Sequence, residues 1–261
     1  MKYVNFGKTG LVVPRLCLGT GSARLTSTGH PLAGAPIQSR IPVSQFAEVL
    51  RRAWRSGMTF WDTSDDYGTH RHIREALKEV DRSSVVLATK THALASPSVR
   101  NSLLQSLDEL GTGYVDILLF HEADTLAGLD ELGKFFLKEA YRMKDEGLIR
   151  AVGLSTHSIE VLRKAATNLD IEVILTNLNV AGDHMDATVS EYLEAIQQAW
   201  SWGKGIYTMK TLGEGRLRDR LDECLQFSLA QSCVHSVCVG ITSIAELSQI
   251  LEISSSMWTL P

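Results

Sequence analysis

Met58-Thr-Phe-Trp-Asp-Thr-Ser-Asp-Asp-Tyr-Gly68 holds a short apolar run that ends abruptly in polar residues. Met58 to Trp61 reads as a buried strand. Asp62 closes it, and Gly68 lets the chain turn away because glycine has no Cβ to oppose a left-handed backbone. The plan recurs downstream. Val85-Val-Leu-Ala-Thr-Lys90 and Tyr114-Val-Asp-Ile-Leu-Leu-Phe-His121 are apolar runs that also end on ionisable side chains. Strands that are apolar throughout, rather than alternating, indicate a sheet covered on both faces.

Helical periodicity separates these runs. A hairpin is expected over 3–13, then strands at 16–18, 59–62, 85–89, 114–121, 149–155, 171–177, 205–210 and 236–239. Helices are expected over 44–56, 71–80, 97–110, 132–146, 158–168, 188–202, 217–232 and 243–254. In the third helix Ser96 is the expected N-cap, Pro97 the first helical residue, and Gly111 a left-handed stop. Eight strand–helix units predict an α/β fold, a (β/α)8 TIM barrel with an N-terminal β-hairpin, as one domain over residues 1–261. A doubly wound sheet is the weaker reading, because Gly19-Thr-Gly21 lacks the rest of the G-x-G-x-x-G fingerprint. The irregular segment 21–41, with Gly29, Pro31, Gly34 and Pro36, is expected to hang over the carboxyl-terminal rim where barrels bind ligands.

Composition excludes several classes. A net charge of −4 gives no argument for a nucleic-acid or membrane-surface partner. No run approaches the roughly 18 apolar residues of a membrane span, and the first residues lack a signal-peptide core, so a soluble cytoplasmic protein is expected. Cys17, Cys224, Cys233 and Cys238 form no C-x-x-C pair and read as buried, reduced thiols. Thr69-His70-Arg-His72 contains an H-x-H, but His92, His157 and His184 are scattered, and no metal is expected.

Asp62, Tyr67, Lys90 and His121 together suit proton transfer to a polarised carbonyl. Hydride addition leaves an alkoxide that an acid must protonate. Tyr67 is that acid if Lys90 favours its phenolate, Asp62 holds Lys90, and His121 donates a hydrogen bond to the oxygen.

With these residues in place the chain resembles the aldo-keto reductases over nearly its whole length. The likeness runs from Phe6-Gly-Lys-Thr-Gly-Leu-Val-Val through Asp62–Gly68, Thr89-Lys90 and His121 to Gly147-Leu-Ile-Arg-Ala-Val-Gly-Leu-Ser155. It implies the barrel, NAD(P)H dependence, reversible reduction of an aldehyde or ketone to an alcohol, and the tetrad Asp62, Tyr67, Lys90 and His121. It also implies cofactor contacts. Ser155 and Thr156 would meet the nicotinamide carboxamide, although the family's asparagine is absent. Thr176 aligns with a glutamine, with Asn177 or Asn179 as substitutes, and Met209 with Lys210 replaces a stacking tyrosine. Leu212, Gly213, Gly215 and Arg216 would wrap the pyrophosphate, and Gly240, Thr242, Ser243 and Glu246 the adenosine end. Thr242 stands where NADPH-preferring members place an arginine. NADP(H) is expected from the family, with NAD(H) as the alternative. The partner expected is a small carbonyl or alcohol substrate, and the oligomeric state is left open. A non-catalytic nucleotide-binding regulatory subunit of the same family is the rival reading. The stretch after Glu246 is short, which implies an open pocket or one completed by residues 21–41 or a second subunit.

Overall fold

The structure, a computed structural model, describes residues 1–23 and 41–258. β1 (Tyr3–Asn5) and β2 (Val12–Pro14) pair antiparallel as the hairpin. Eight parallel strands follow: β3 (Leu16–Gly19), β4 (Phe60–Asp62), β5 (Val86–Thr91), β6 (Val115–Phe120), β7 (Ile149–Thr156), β8 (Val173–Asn177), β9 (Gly205–Met209) and β10 (Ser236–Gly240). They close into a barrel in chain order, β10 pairing with both β3 and β9. The helices are α1 (Val43–Arg55), α2 (His70–Leu77), α3 (Ser98–Leu110), α4 (Leu126–Lys134), α5 (Phe136–Asp145), α6 (Ile159–Ala166), α7 (Val189–Ser201), α8 (Leu221–Ala230) and α9 (Ile244–Trp258). This is the (β/α)8 barrel with an N-terminal hairpin that the alternation predicts.

Side chains along each strand alternate between two apolar layers. Leu18, Trp61, Leu87, Leu118, Leu154, Ile174, Ile206 and Val239 belong to the large outer cluster beneath the helices. Cys17, Phe60, Ala88, Ile117, Leu119, Ala151, Leu175, Tyr207 and Cys238 fill the barrel interior. Phe6, Leu11 and Val13 of the hairpin join that inner cluster, and Phe6 meets Phe60 and Tyr207 edge-on at 5.8 and 6.1 Å. The hairpin therefore plugs the amino-terminal end and leaves the other end for chemistry. Gly153 faces inward where β7 meets β8, and a Cβ there would lie 1.8 Å from the carbonyl oxygen of Val173. Only glycine fits.

Three expectations need correction. The single helix over 132–146 is two helices, α4 and α5, broken at Phe135 (φ −118, ψ −62). The break leaves Phe135 48% exposed while Leu132 and Phe136 on either side are fully buried. Ser96 is not the cap of α3, because Pro97 occupies that position and no side chain caps the helix. Gly111 does close it in the left-handed region, at φ 68. The helix expected from 217 begins at Leu221, after two 3-10 turns at Gly213–Gly215 and Arg218–Arg220. Of the segment 21–41, residues 24–40 lie outside the described residues. Among the described residues no helix is long and apolar enough to cross a membrane.

His235 sits at the plugged end, 8% exposed, edge-on to Phe6 at 5.6 Å, its Nδ1 accepting from the Ile206 amide at 3.0 Å. Burial pushes its imidazole down to about 4. The unfolded chain takes up that proton near pH 6.5, before the folded one does. The stabilisation is thus complete above that pH and is lost as pH falls towards 4, by up to roughly 3 kcal/mol. Urea unfolding across this window should show the midpoint falling, and His235→Asn should flatten the decline. An unchanged slope would remove His235 as the cause.

Candidate active site

At the open end the inward parity of the strands selects Asp62 (β4), Lys90 (β5), Ser155 (β7), Asn177 (β8), Met209 (β9) and Gly240 (β10), with His121 one residue beyond β6. Lys90 is 1% exposed and Asp62 4%. The Lys90 ammonium donates to Asp62 Oδ1 at 2.7 Å and to the Thr63 carbonyl at 2.7 Å. Burial by itself would strip the ammonium of its proton. The charge of Asp62 and the nearby Tyr67 reverse that and hold it well above the ordinary lysine range. The second Asp62 oxygen accepts from the Tyr207 hydroxyl at 2.8 Å. Burial and the Asp62 charge push Tyr207 well up, so it stays a phenol and keeps donating.

Tyr67 arrives on the turn after β4. Thr69 ties that turn down through Thr20 at 2.8 Å and Thr63 at 2.9 Å, and Gly68 (φ 65) supplies the left-handed step. The Tyr67 ring lies 4.8 Å from Lys90 Nζ and edge-on to His121 at 5.7 Å. Gly21 packs on the phenol, since a Cβ there would stand 3.2 Å from Tyr67 Cε2. The four residues read from the sequence thus sit together. His121 is 5% exposed, and burial together with the Lys90 charge pushes its imidazole down to about 2.

The other sequence candidates divide by strand parity. Ser155 Oγ accepts from the Glu122 amide at 3.0 Å. Asn177 donates through Nδ2 to the His184 carbonyl at 2.6 Å, but its buried Oδ1 has no partner. Thr156 and Thr176 occupy the outward positions, so the structure brings Asn177, not Thr176, to the barrel mouth. Thr156 is engaged with Asp124 and the Ser158 amide. Beyond β9, Met209 is half-buried and Lys210 pairs with Glu214 at 3.0 Å. Leu212, Gly213 (φ 52) and Gly215 (φ 100) shape the next loop. Arg216 is held by Asp183 through two 2.9 Å bonds rather than left open. After Gly240, the Thr242 amide and hydroxyl both donate to Glu246 Oε2 at 2.8 Å, Ser243 Oγ accepts from the Glu246 amide at 3.2 Å, and Arg218 pairs with the other Glu246 oxygen.

A model of the Aldo/keto reductase family matches residues 15–226. The chain belongs to that family. It is 25% identical to L-galactose dehydrogenase of Arabidopsis thaliana over 93% of this chain and 85% of that protein. It is 30% identical to the aldo-keto reductase YhdN of Bacillus subtilis (strain 168) over 74% of this chain and 58% of that one. Among solved structures, the holo form of aldo-keto reductase AKR11C1 from Bacillus halodurans superposes with a TM-score of 0.76 at 19% identity, over 97% of this chain and 91% of that one. That likeness supports the fold. As an aldo/keto reductase the protein is an NAD(P)H-dependent oxidoreductase acting on carbonyls.

The mouth of this reductase fits a nicotinamide dinucleotide. Asn177 Oδ1 and Thr211 Oγ1 are buried polar atoms without partners on adjoining strand ends, as expected where a ligand completes the hydrogen bonding. The H-x-H is used structurally: His70 meets Glu109 at 2.8 Å and His72 the Ile41 carbonyl at 2.9 Å. Asp66, His92 and His121 gather their donor atoms within 4.8 Å of one another. The two imidazoles, however, are stacked at 4.5 Å with a 31° tilt. Their in-plane lone pairs run side by side and do not converge on one ion. Sequence reasoning missed Tyr207, Ser64, Asp66 and His92. Inward parity at β9, two residues before Met209, was the available signal for Tyr207.

Replacing Tyr207 by Phe leaves one oxygen of a buried carboxylate without its donor. The expected cost is about 1–3 kcal/mol, read from urea unfolding, together with slower carbonyl reduction. Unchanged stability and rate would show that Asp62 is held without Tyr207.

Proposed function

We propose that this reductase interconverts a small aldehyde or ketone with its alcohol, Tyr67 exchanging the proton with the substrate oxygen. The observation that carries this reading is the buried Lys90 ammonium beside the Tyr67 ring, clamped by Asp62 and the Thr63 carbonyl. A cation in that position favours the phenolate, so the proton on Tyr67 becomes easier to transfer. Bound NAD(P)H supplies the hydride. Asn177 and Ser155 are the groups suited to its carboxamide, and Thr211 with the Gly213–Gly215 turn to its pyrophosphate. Position 242 lacks an arginine, yet Arg218 brings a guanidinium to the same corner through Glu246, which itself caps Thr242. That supports NADP(H) as the cofactor, Arg218 serving the 2′-phosphate. Four buried, unpaired cysteines suit a reducing compartment, and we place the enzyme in the cytoplasm.

Tyr67→Phe should lower kcat for aldehyde reduction by at least about a hundredfold, the scale of a lost general acid, with NADPH affinity nearly unchanged. Wild-type turnover by that variant would sink the assignment. Fluorescence titration with NADPH and NADH tests the cofactor directly. Arg218→Ala should weaken NADPH binding and spare NADH, and equal losses for the two would reject its phosphate role.

A further inference from the structure

The seam where the barrel closes carries two thiols that the proposed reaction does not use. Cys17 of β3 and Cys238 of β10 are direct partners in the parallel pairing that joins the first barrel strand to the last. Neighbouring strands run roughly 4.8 Å apart, inside the span of about 4.4–6.8 Å that a disulfide needs between Cα atoms. Both side chains belong to the inner layer. Side chains on the concave face of a closed sheet converge, which brings the sulfurs nearer than the backbones, and the two thiols are hydrogen-bonded to each other.

Cys238 is also the thiol within reach. Among the buried members of the inner layer it shows the most surface, 9% against 3% or less for the others. Gly19 and Gly240 hold the rim positions above the pair, and a Cβ on Gly19 would stand 2.8 Å from Cys238 Sγ. Two glycines thus leave that sulfur uncovered towards the mouth, with the Ser22 hydroxyl beside Gly240. The Lys90 ammonium and a thiolate on Cys238 attract each other, and the thiolate is the reactive form. Cys17 differs. It is fully buried, and burial, the hydrogen bond with Cys238 and the Asp62 charge push its thiol well up, so it keeps its proton.

We propose that Cys17 and Cys238 form a peroxide-sensitive dithiol, Cys238 attacking and Cys17 resolving, whose disulfide staples the barrel seam. The Cys238 sulfur attacks one oxygen of hydrogen peroxide: an S–O bond forms, the O–O bond breaks, and water leaves with the thiol proton. The Cys17 sulfur then displaces that oxygen: an S–S bond forms, the S–O bond breaks, and a second water leaves with the Cys17 proton. Each sulfur gives up one electron, and one peroxide takes both. Because Cys17 holds its proton, the second step should quicken as pH rises. At rest both thiols stay reduced, and the bond forms only under oxidant.

The test exposes the whole protein to hydrogen peroxide, denatures it in excess iodoacetamide and measures its mass. Two of the four cysteines should escape alkylation, and dithiothreitol should restore them. A non-reducing digest should yield a peptide pair joining Cys17 to Cys238. A pair joining other cysteines overturns the proposal, as do four alkylated thiols after an exposure that fully oxidises free glutathione. Sulfinic acid on Cys238 with Cys17 still free rejects the resolving role. In Cys17→Ser the bond cannot form, and dimedone should label a sulfenic acid on Cys238. A label on another cysteine, or none, rejects Cys238 as the attacking sulfur. Oxidised wild-type protein should unfold at a higher urea concentration than the reduced form, since a cross-link closing a long loop constrains the unfolded chain most. A midpoint that is unchanged or lower rejects the staple. Should the variant fail to fold, the digest of the wild-type protein still decides the pairing.

Discussion

A charged ammonium with almost no exposed surface is the constraint around which the open end of this barrel is built. Such a charge is costly to bury alone, and removing one partner from a buried pair typically costs 3–5 kcal/mol. Lys90 is therefore surrounded rather than merely touched. Asp62 and the Thr63 carbonyl take two of its N–H groups, Tyr207 secures the far oxygen of Asp62, and the Tyr67 ring lies alongside. Asp62, Thr63 and Tyr67 come from β4 and the turn after it, Lys90 from the neighbouring β5, and Tyr207 from β9. The Tyr207 contact thus forms only when the barrel closes, which makes the catalytic geometry a consequence of the fold rather than an addition to it.

Closure in turn depends on the amino-terminal plug and on strand spacing. Phe6 stacks edge-on against residues of β4 and β9, filling the volume beneath the inner layer. Gly153 lets β7 and β8 approach where any side chain would strike the Val173 carbonyl. These contacts join residues far apart in sequence, so each depends on the others being in place.

That dependence explains what the sequence discloses and what it does not. The eight units were legible because apolar runs and helical periodicity are local, and the tetrad because three successive runs end on ionisable residues. Tyr207 was not legible, since its partner Asp62 lies 145 residues away and nothing local marks a strand tyrosine as a donor. Thr176 and Asn177 are adjacent, and only strand parity decides which one faces the mouth; a shift of one residue exchanges the faces. The break at Phe135 escaped because both phenylalanines suit a helix. Ser64 looked like spacer between Asp62 and Tyr67 until its hydroxyl was seen facing a carbonyl, a carboxylate and an imidazole at once.

The mouth of the barrel is electrostatically uneven, and the unevenness follows its division of labour. On the β4–β6 side nearly every polar atom has a partner: Lys90 and Asp62 with Tyr207, and Ser64 with Lys90 and His121. Groups that must hold one protonation state through a reaction need such saturation, because a spare acceptor would compete for the proton being moved. On the β8–β9 side the Asn177 and Thr211 oxygens are buried without partners. An unpaired buried acceptor costs free energy in the empty protein and recovers it when a ligand donates to it. On the proposed reading, the saturated side moves the proton and the unsaturated side contributes affinity for the dinucleotide. The boundary between them runs past His121, where one ring nitrogen belongs to the saturated network and the other to the substrate.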